Sequence, residues 1–244
     1  MDREESFEKF LKECKETQQI CGQGEFRANI LLIGQEPYCK HEMEGEELKN
    51  HLSKNYSECR NHSCCYTHES KDLSPTWKNY QKLIDLIYPD KPKNKGVIDF
   101  EKYAFTTELN SVPRPHKKLD SQTKNNIKDR LALFKKSKFI QSFPVIILAC
   151  GGYIKNIGEG TDRQIDNTFG VEFDEEPNGR YKSKQGKLWF TTHHSKSDER
   201  KLVIHTWQFS LGHITREEKE WFMSEMATII KEHLDHLKKH GLIQ

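Results

Sequence analysis

The sequence predicts an α/β fold, a three-layer αβα sandwich around a short, mainly parallel four-stranded sheet. Three observations carry that expectation. Ile30-Leu31-Leu32-Ile33 and Val145-Ile146-Ile147-Leu148 are unbroken aliphatic runs without polar alternation, the pattern of strands buried on both faces. Stretches with helical apolar spacing alternate with the strand candidates along the chain. Right-handed crossovers between parallel strands then place helices on both sides of the sheet.

In chain order, Phe7, Phe10, Leu11 and Cys14 fall at helical spacing and predict an N-terminal helix. Cys21-Gly22-Gln23-Gly24 leads into the first strand, which stops at Gly34 before the turn Gln35-Glu36-Pro37-Tyr38. In open α/β sheets ligands sit just past the carboxyl ends of the strands. An amide, a carboxylate and an aromatic ring are thus delivered where such folds do their chemistry. Residues 39–74 are polar, show no sustained periodicity and read as an insertion within a single domain spanning 1–244. Ser74-Pro75-Thr76-Trp77-Lys78-Asn79-Tyr80 opens a helix that continues through Leu83, Ile84 and Ile87.

A second strand is expected over 103–109, closed by Asn110 and the Pro113-Arg114-Pro115 break. Ile127, Leu131 and Phe134 give a helix whose end carries Lys135, Lys136 and Lys138, suited to the negative helix C-terminus. The third strand, 145–150, runs into Gly151-Gly152, and 158–187 reads as loop with a short hairpin around Pro177-Asn178-Gly179. Strands are expected at 188–192 and 202–207. The last helix opens on a Thr215-x-x-Glu218 capping box, carries Trp221, Phe222, Met226, Ile229, Ile230, Leu234 and Leu237 on one side, and ends at Gly241.

Length and composition set the outer bounds. The 244 residues suffice for a sizeable core, and a net charge of +2 with 31% charged residues neither demands nor excludes nucleic acid, since a local basic patch is what matters. No apolar run approaches the roughly 18 residues of a membrane span. The acidic start Met1-Asp2-Arg3-Glu4-Glu5 is unlike a signal peptide. Seven cysteines, an odd number, point to a reducing compartment. The expectation is a monomer of the cytoplasm, or of the nucleus in a eukaryote, without membrane association.

The motifs, in order, resemble the uracil-DNA glycosylase superfamily over about residues 30–210. Gly34-Gln35-Glu36-Pro37-Tyr38 is similar to its water-activating motif, with Glu36 where the main family has Asp. Ser74-Pro75-Thr76-Trp77-Lys78-Asn79-Tyr80 resembles the Pro/Ser loop that pinches the DNA backbone, and Leu109-Asn110-Ser111-Val112 the strand end whose Asn reads the uracil edge. For the final His-Pro-Ser motif there are two candidates. Thr191-Thr192-His193-His194-Ser195 keeps the His and Ser, and Thr206-Trp207-Gln208-Phe209-Ser210 keeps the Ser and lies just before the last helix.

The resemblance implies a DNA glycosylase that flips a base into a pocket and hydrolyses its N-glycosidic bond by direct water attack, with no redox cofactor. Glu36 would orient the water and offset the oxocarbenium charge. His193, His205 or Gln208 would stabilise the departing base. Gly34, Gln35, Tyr38, Asn110 and Ser210 would line the substrate, and Pro75 and Thr76 would hold the DNA backbone. Residue chemistry offers plainer roles beside these: Ser74 as a helix N-cap, Asn110 as a strand-end turn. Glu36 for Asp, the absent His-Pro-Ser and the insertion keep two other readings open. One is a catalytically inactive DNA- or protein-binding member of the same fold, the other an α/β hydrolase of small nucleotides.

The insertion gathers Cys39, His41, Cys59, His62, Cys64, Cys65 and His68. Cys59-x-x-His62 and Cys65-x-x-His68 have gaps that suit tetrahedral zinc, so a structural zinc on these four residues is one reading. Some superfamily members hold an iron–sulfur cluster, but Cys14 and Cys21, separated by six residues, do not match its closely spaced first pair.

Overall fold

The computed structural model describes residues 2–37, 39–60, 68–69, 74–92, 96–115, 119–155, 163–174, 179–195, 200–212 and 214–243. Tyr38, His62 and Cys65 lie outside these residues, and His68 is described by its backbone alone.

The aliphatic runs form the centre of the sheet. β1 (Gln23–Gly24) and β2 (Ile30–Gly34) open the chain's strands; β3 (His68–Glu69) and β4 (Val97–Ile98) pair with each other. Then follow β5 (Ala104–Glu108), β6 (Val145–Leu148), β7 (Glu172–Phe173), β8 (Arg180–Lys182), β9 (Trp189–His194) and β10 (Leu202–Thr206). The sheet order is β1-β5-β2-β6-β10-β9-β7, with β8 also paired to β9. The middle four, β5-β2-β6-β10, are parallel, and every strand outside them joins antiparallel.

Helices cover both faces. On one, α1 (Arg3–Glu16), α4 (Ser121–Lys136), α5 (Lys138–Gln141) and α6 (Gln164–Phe169) pack on Leu31, Ile33, Phe105, Ile146, Leu148 and Val203. On the other, α3 (Pro75–Ile87) and α7 (Arg216–Lys239) pack on Ile30, Leu32, Val145, Ile147, Leu202 and Ile204. The two lists alternate along each strand, as the period-2 pleat requires. Ser74 and Thr215 are the expected N-caps, accepting from the backbone N–H groups of Trp77 and Glu218.

Three expectations need correction. The sheet has eight described strands, not four, because β1, β7 and β8 are two or three residues long and show no periodicity, while β9 adds to the edge. Residues 39–74 are not all loop: α2 (Gly45–Arg60) occupies much of the insertion. Its inner stripe Leu48, Leu52, Asn55, Tyr56 and Cys59 does keep helical spacing, but only Leu52 and Cys59 are buried apolar residues. In the stretch read as loop and hairpin, α6 forms, and β7 and β8 each pair with β9 rather than with each other. No helix among the described residues is long and apolar enough to cross a membrane.

Arg130 ties the α1 layer to β5. Fully buried, it donates from Nε to the Glu108 carbonyl at 3.1 Å, from Nη2 to Thr107 Oγ1 at 2.7 Å and from Nη1 to Gln19 Oε1 at 3.2 Å. Its guanidinium lies 4.5 Å from the Phe134 ring centroid. Replacing it by an apolar residue strands one buried and two part-buried acceptors, the buried one costing about 1–3 kcal/mol. Arg130→Met is expected to lose at least about 2 kcal/mol in urea unfolding; unchanged stability would show that these bonds contribute nothing net.

Candidate functional site

A cleft of about 610 Å³ opens where β2, β5 and β6 end. Gly34, Gln35, Glu36 and Pro37 come from the end of β2, Thr106, Thr107 and Glu108 from β5, and Ala149 from just past β6. Ser74, Pro75, Thr76 and Trp77 bring the N-terminus of α3 to the rim, and Gln208 and Ser210 come from the turn after β10. Asn79 Nδ2 donates to the Phe209 carbonyl at 2.6 Å and so fixes α3 against that turn. The remaining wall is α2, which contributes His51, Lys54, Asn55 and Glu58. Asn55 anchors this wall, accepting from the Cys21 and Gly22 N–H groups at 2.8 and 3.3 Å.

Two carboxyl groups face the cleft from neighbouring strands. Glu36 is buried and accepts from the Tyr153 hydroxyl at 2.7 Å. Burial and the Glu36 carboxylate push the Tyr153 phenol well above its ordinary range, so it stays a donor. Glu108 sits opposite Gly34 in the β2–β5 register. Its carboxyl lies across the end of β2, where a Cβ on Gly34 would collide with Oε2. A side chain at Gly34 would therefore displace the Glu108 carboxyl. Oε2 of Glu108 is sealed from solvent and has no hydrogen-bond partner among the described residues. Burial first, then repulsion from Glu36, pushes its pKa up from 4.5 to about 8 against the pull of Arg130. At neutral pH Glu108 is a carboxylic acid.

Of the residues singled out from sequence, Gly34, Gln35, Glu36, Pro75, Thr76, Gln208 and Ser210 line the cleft together. Gln35 Nε2 donates to the Cys150 carbonyl at 3.1 Å, which sets its side chain at the floor. Between the two candidates for the final motif, 206–210 is the one at the cleft. His193 is not among the lining residues: on the edge strand β9 it is buried, with Nδ1 2.8 Å from Asp166 Oδ1 and Nε2 3.1 Å from Thr191 Oγ1. Asn110 does not line it either. Its Oδ1 accepts from the Val112 N–H at 3.3 Å and its Nδ2 donates to the Val112 carbonyl at 3.4 Å, so the amide is spent on a turn. His205 is buried and donates to the Gly151 carbonyl over 2.8 Å, and burial pushes its pKa down to about 4, leaving it neutral. Lys135, Lys136 and Lys138 end α4 and start α5 ahead of β6, at the opposite end of the sheet from the cleft.

Sequence reading missed Glu108, Tyr153 and the α2 wall. A lone charge closing a strand reads as a boundary, and only the register against Gly34 reveals what Glu108 does. Of the four proposed zinc ligands, Cys59 is buried with its sulfur 2.7 Å from that of Cys21, and Cys14 is hydrogen-bonded to Cys21 in turn. Among the described residues no group of three or more His, Cys, Asp or Glu side chains is arranged to hold a metal ion.

No protein-family model matches the chain, and no curated protein matches it. The function must therefore be argued from the cleft.

The neutral Glu108 has a cost that can be measured without a substrate. Its folded pKa lies above its unfolded value, so between about pH 4.5 and 8 the folded state keeps a proton that the unfolded chain has released. This group's contribution to stability therefore declines as pH rises through that window, by on the order of 4 kcal/mol. Glu108→Gln, neutral at every pH, is expected to exceed the parent in urea-unfolding stability by about that amount at pH 8 and to match it near pH 4.5. Parallel pH curves for the two proteins would mean that Glu108 is ionised.

Proposed function

We propose that this chain hydrolyses the N-glycosidic bond of uracil or a related deaminated base after the nucleotide is flipped out of DNA into the cleft. The observation that carries the reading is the pair of carboxyl groups, Glu36 and Glu108, facing one cleft at the ends of adjacent parallel strands. Breaking an N-glycosidic bond develops positive charge on the sugar and negative charge on the base. Glu36, held by Tyr153, offsets the sugar charge and orients the attacking water. Gln208, across the cleft, offers an amide to the departing base.

The surroundings suit a nucleotide. The N-terminus of a 13-residue helix, α3, faces the cleft with Pro75 and Thr76 in its first turn, a favourable place for a phosphate. Lys54 adds a positive charge from the opposite wall. Trp207 is 48% exposed and lies beside Gly151 and Gln35, so its ring is available to stack on a base. Helices on both faces of a central parallel β5-β2-β6-β10 core agree with the three-layer sandwich of the uracil-DNA glycosylase superfamily. Three of the segments that carry the resemblance, 34–37, 74–77 and 208–210, line the cleft, while the Asn110 motif lies outside it. Such an enzyme needs no redox cofactor and would work as a monomer wherever DNA is kept, in the cytoplasm or a nucleus.

One observation favours a second reading, hydrolysis of free nucleotides. α2 walls the cleft with four side chains, which narrows the approach for a duplex.

Uracil release from single-stranded and U·G duplex oligonucleotides is expected with the parent protein and is expected to fall at least about 100-fold in Glu36→Gln. Release undiminished in that variant would remove Glu36 from the reaction. Trp207→Ala is expected to weaken oligonucleotide binding about tenfold or more. Cleavage confined to free nucleotides and indifferent to Trp207 would establish the second reading instead.

A further inference from the structure

We infer that Glu108 is the proton donor to the departing base, and that the site therefore selects bases presenting a carbonyl oxygen to it. The inference deepens the glycosidase reading above and rests on it. Glu108 is placed by the strand register opposite Gly34, and the missing side chain there lets its carboxyl fold over the end of β2 beside Glu36. Its Oε2 is closed to solvent without a partner among the described residues, yet the residue lines the cleft. A buried carboxyl oxygen in that state is costly, and a ligand atom that accepts its O–H removes the cost.

The charged and titratable groups around it agree. Glu36 faces it from the β2 turn, Tyr80 from α3, Cys150 from beyond β6 and Arg130 from α4. His51, Lys54 and Glu58 of α2 line the same cleft. Arg130 favours the charged form of Glu108, but its donors are engaged by the Glu108 carbonyl, Thr107 and Gln19. Burial and Glu36 prevail, so the proton stays on Glu108 up to about pH 8.

The step balances on these residues alone. The C1′–N bond breaks with its electron pair going to the base, and the Glu108 proton passes to the base carbonyl oxygen or ring nitrogen. The water oxygen bonds to C1′ and its proton goes to Glu36. That proton returns to Glu108 through solvent after the products leave. Deamination replaces an exocyclic amino group by a carbonyl oxygen. An O–H donor meets an acceptor on the deaminated base but a second donor on its parent.

The test compares parent and Glu108→Gln on a uracil oligonucleotide between pH 6 and 10. The parent rate is expected to fall above about pH 8, and the variant to be slower by about 10²–10⁴-fold at pH 7 with no alkaline limb. The deficit should shrink on a 5-fluorouracil oligonucleotide, because fluorine stabilises the departing anion and lessens the need for a proton. A variant with the parent's rate and profile overturns the donor role and leaves the glycosidase reading standing. No release by the parent from any oligonucleotide or nucleotide overturns that reading, and the donor role with it. Infrared difference spectra give an independent check: a protonated-carboxyl band at pH 7, lost in Glu108→Gln, is expected, and its absence from the parent overturns the inference.

Discussion

The parallel pairing of β2 with β5 is the constraint on which the cleft depends. It sets Gly34 level with Glu108, and from that one register follow the close approach of the carboxyl to the strand end, its isolation from water and its repulsion by Glu36. A slip of one residue would turn Glu108 to the other face of the sheet. The aliphatic strands are what prevent it, since their alternate side chains fill two different cores and tolerate one register only.

Around that fixed centre the parts are attached with different firmness. The turn after β10 is held to α3 through Asn79. The α2 wall is fastened by Asn55 to the loop before β1 and by the Tyr56 hydroxyl to the carbonyls of Cys14 and Gln19, at 3.1 and 3.0 Å. Chemistry and enclosure thus come from separate pieces: the sheet supplies the carboxyl groups and an inserted helix sets the space above them.

How much of this the sequence discloses follows from the range of the forces involved. Strands buried on both faces announce themselves through unbroken aliphatic runs, so β2, β6 and β10 are legible. So are α1, α3, α4 and α7, whose stripes and caps are local. β7 and β8 are too short to carry a period and are held by β9, a partner distant in sequence. At the site, Gly34-Gln35-Glu36 and Gln208-x-Ser210 are legible because they follow strands. Glu108 is not, because its meaning lies in what it faces across a strand. The place of His193 is not legible for the same reason: nothing beside it in sequence tells that its ring pairs with Asp166. Asn110 was legible either as a reader of bases or as a turn, and its hydrogen bonds to Val112 favour the turn.

Arg130 has a consequence for how the molecule would age or adapt. It joins Gln19, at the edge of the N-terminal layer, to the backbone carbonyl of Glu108. Loosening of that outer layer would draw Arg130 away from β5 well before the sheet came apart, and Glu108, without the pull of that charge, would hold its proton to higher pH. The change would appear while the fold is still intact. Drift in the N-terminal helix would be felt first as a changed titration of Glu108, whose side chain that helix never touches.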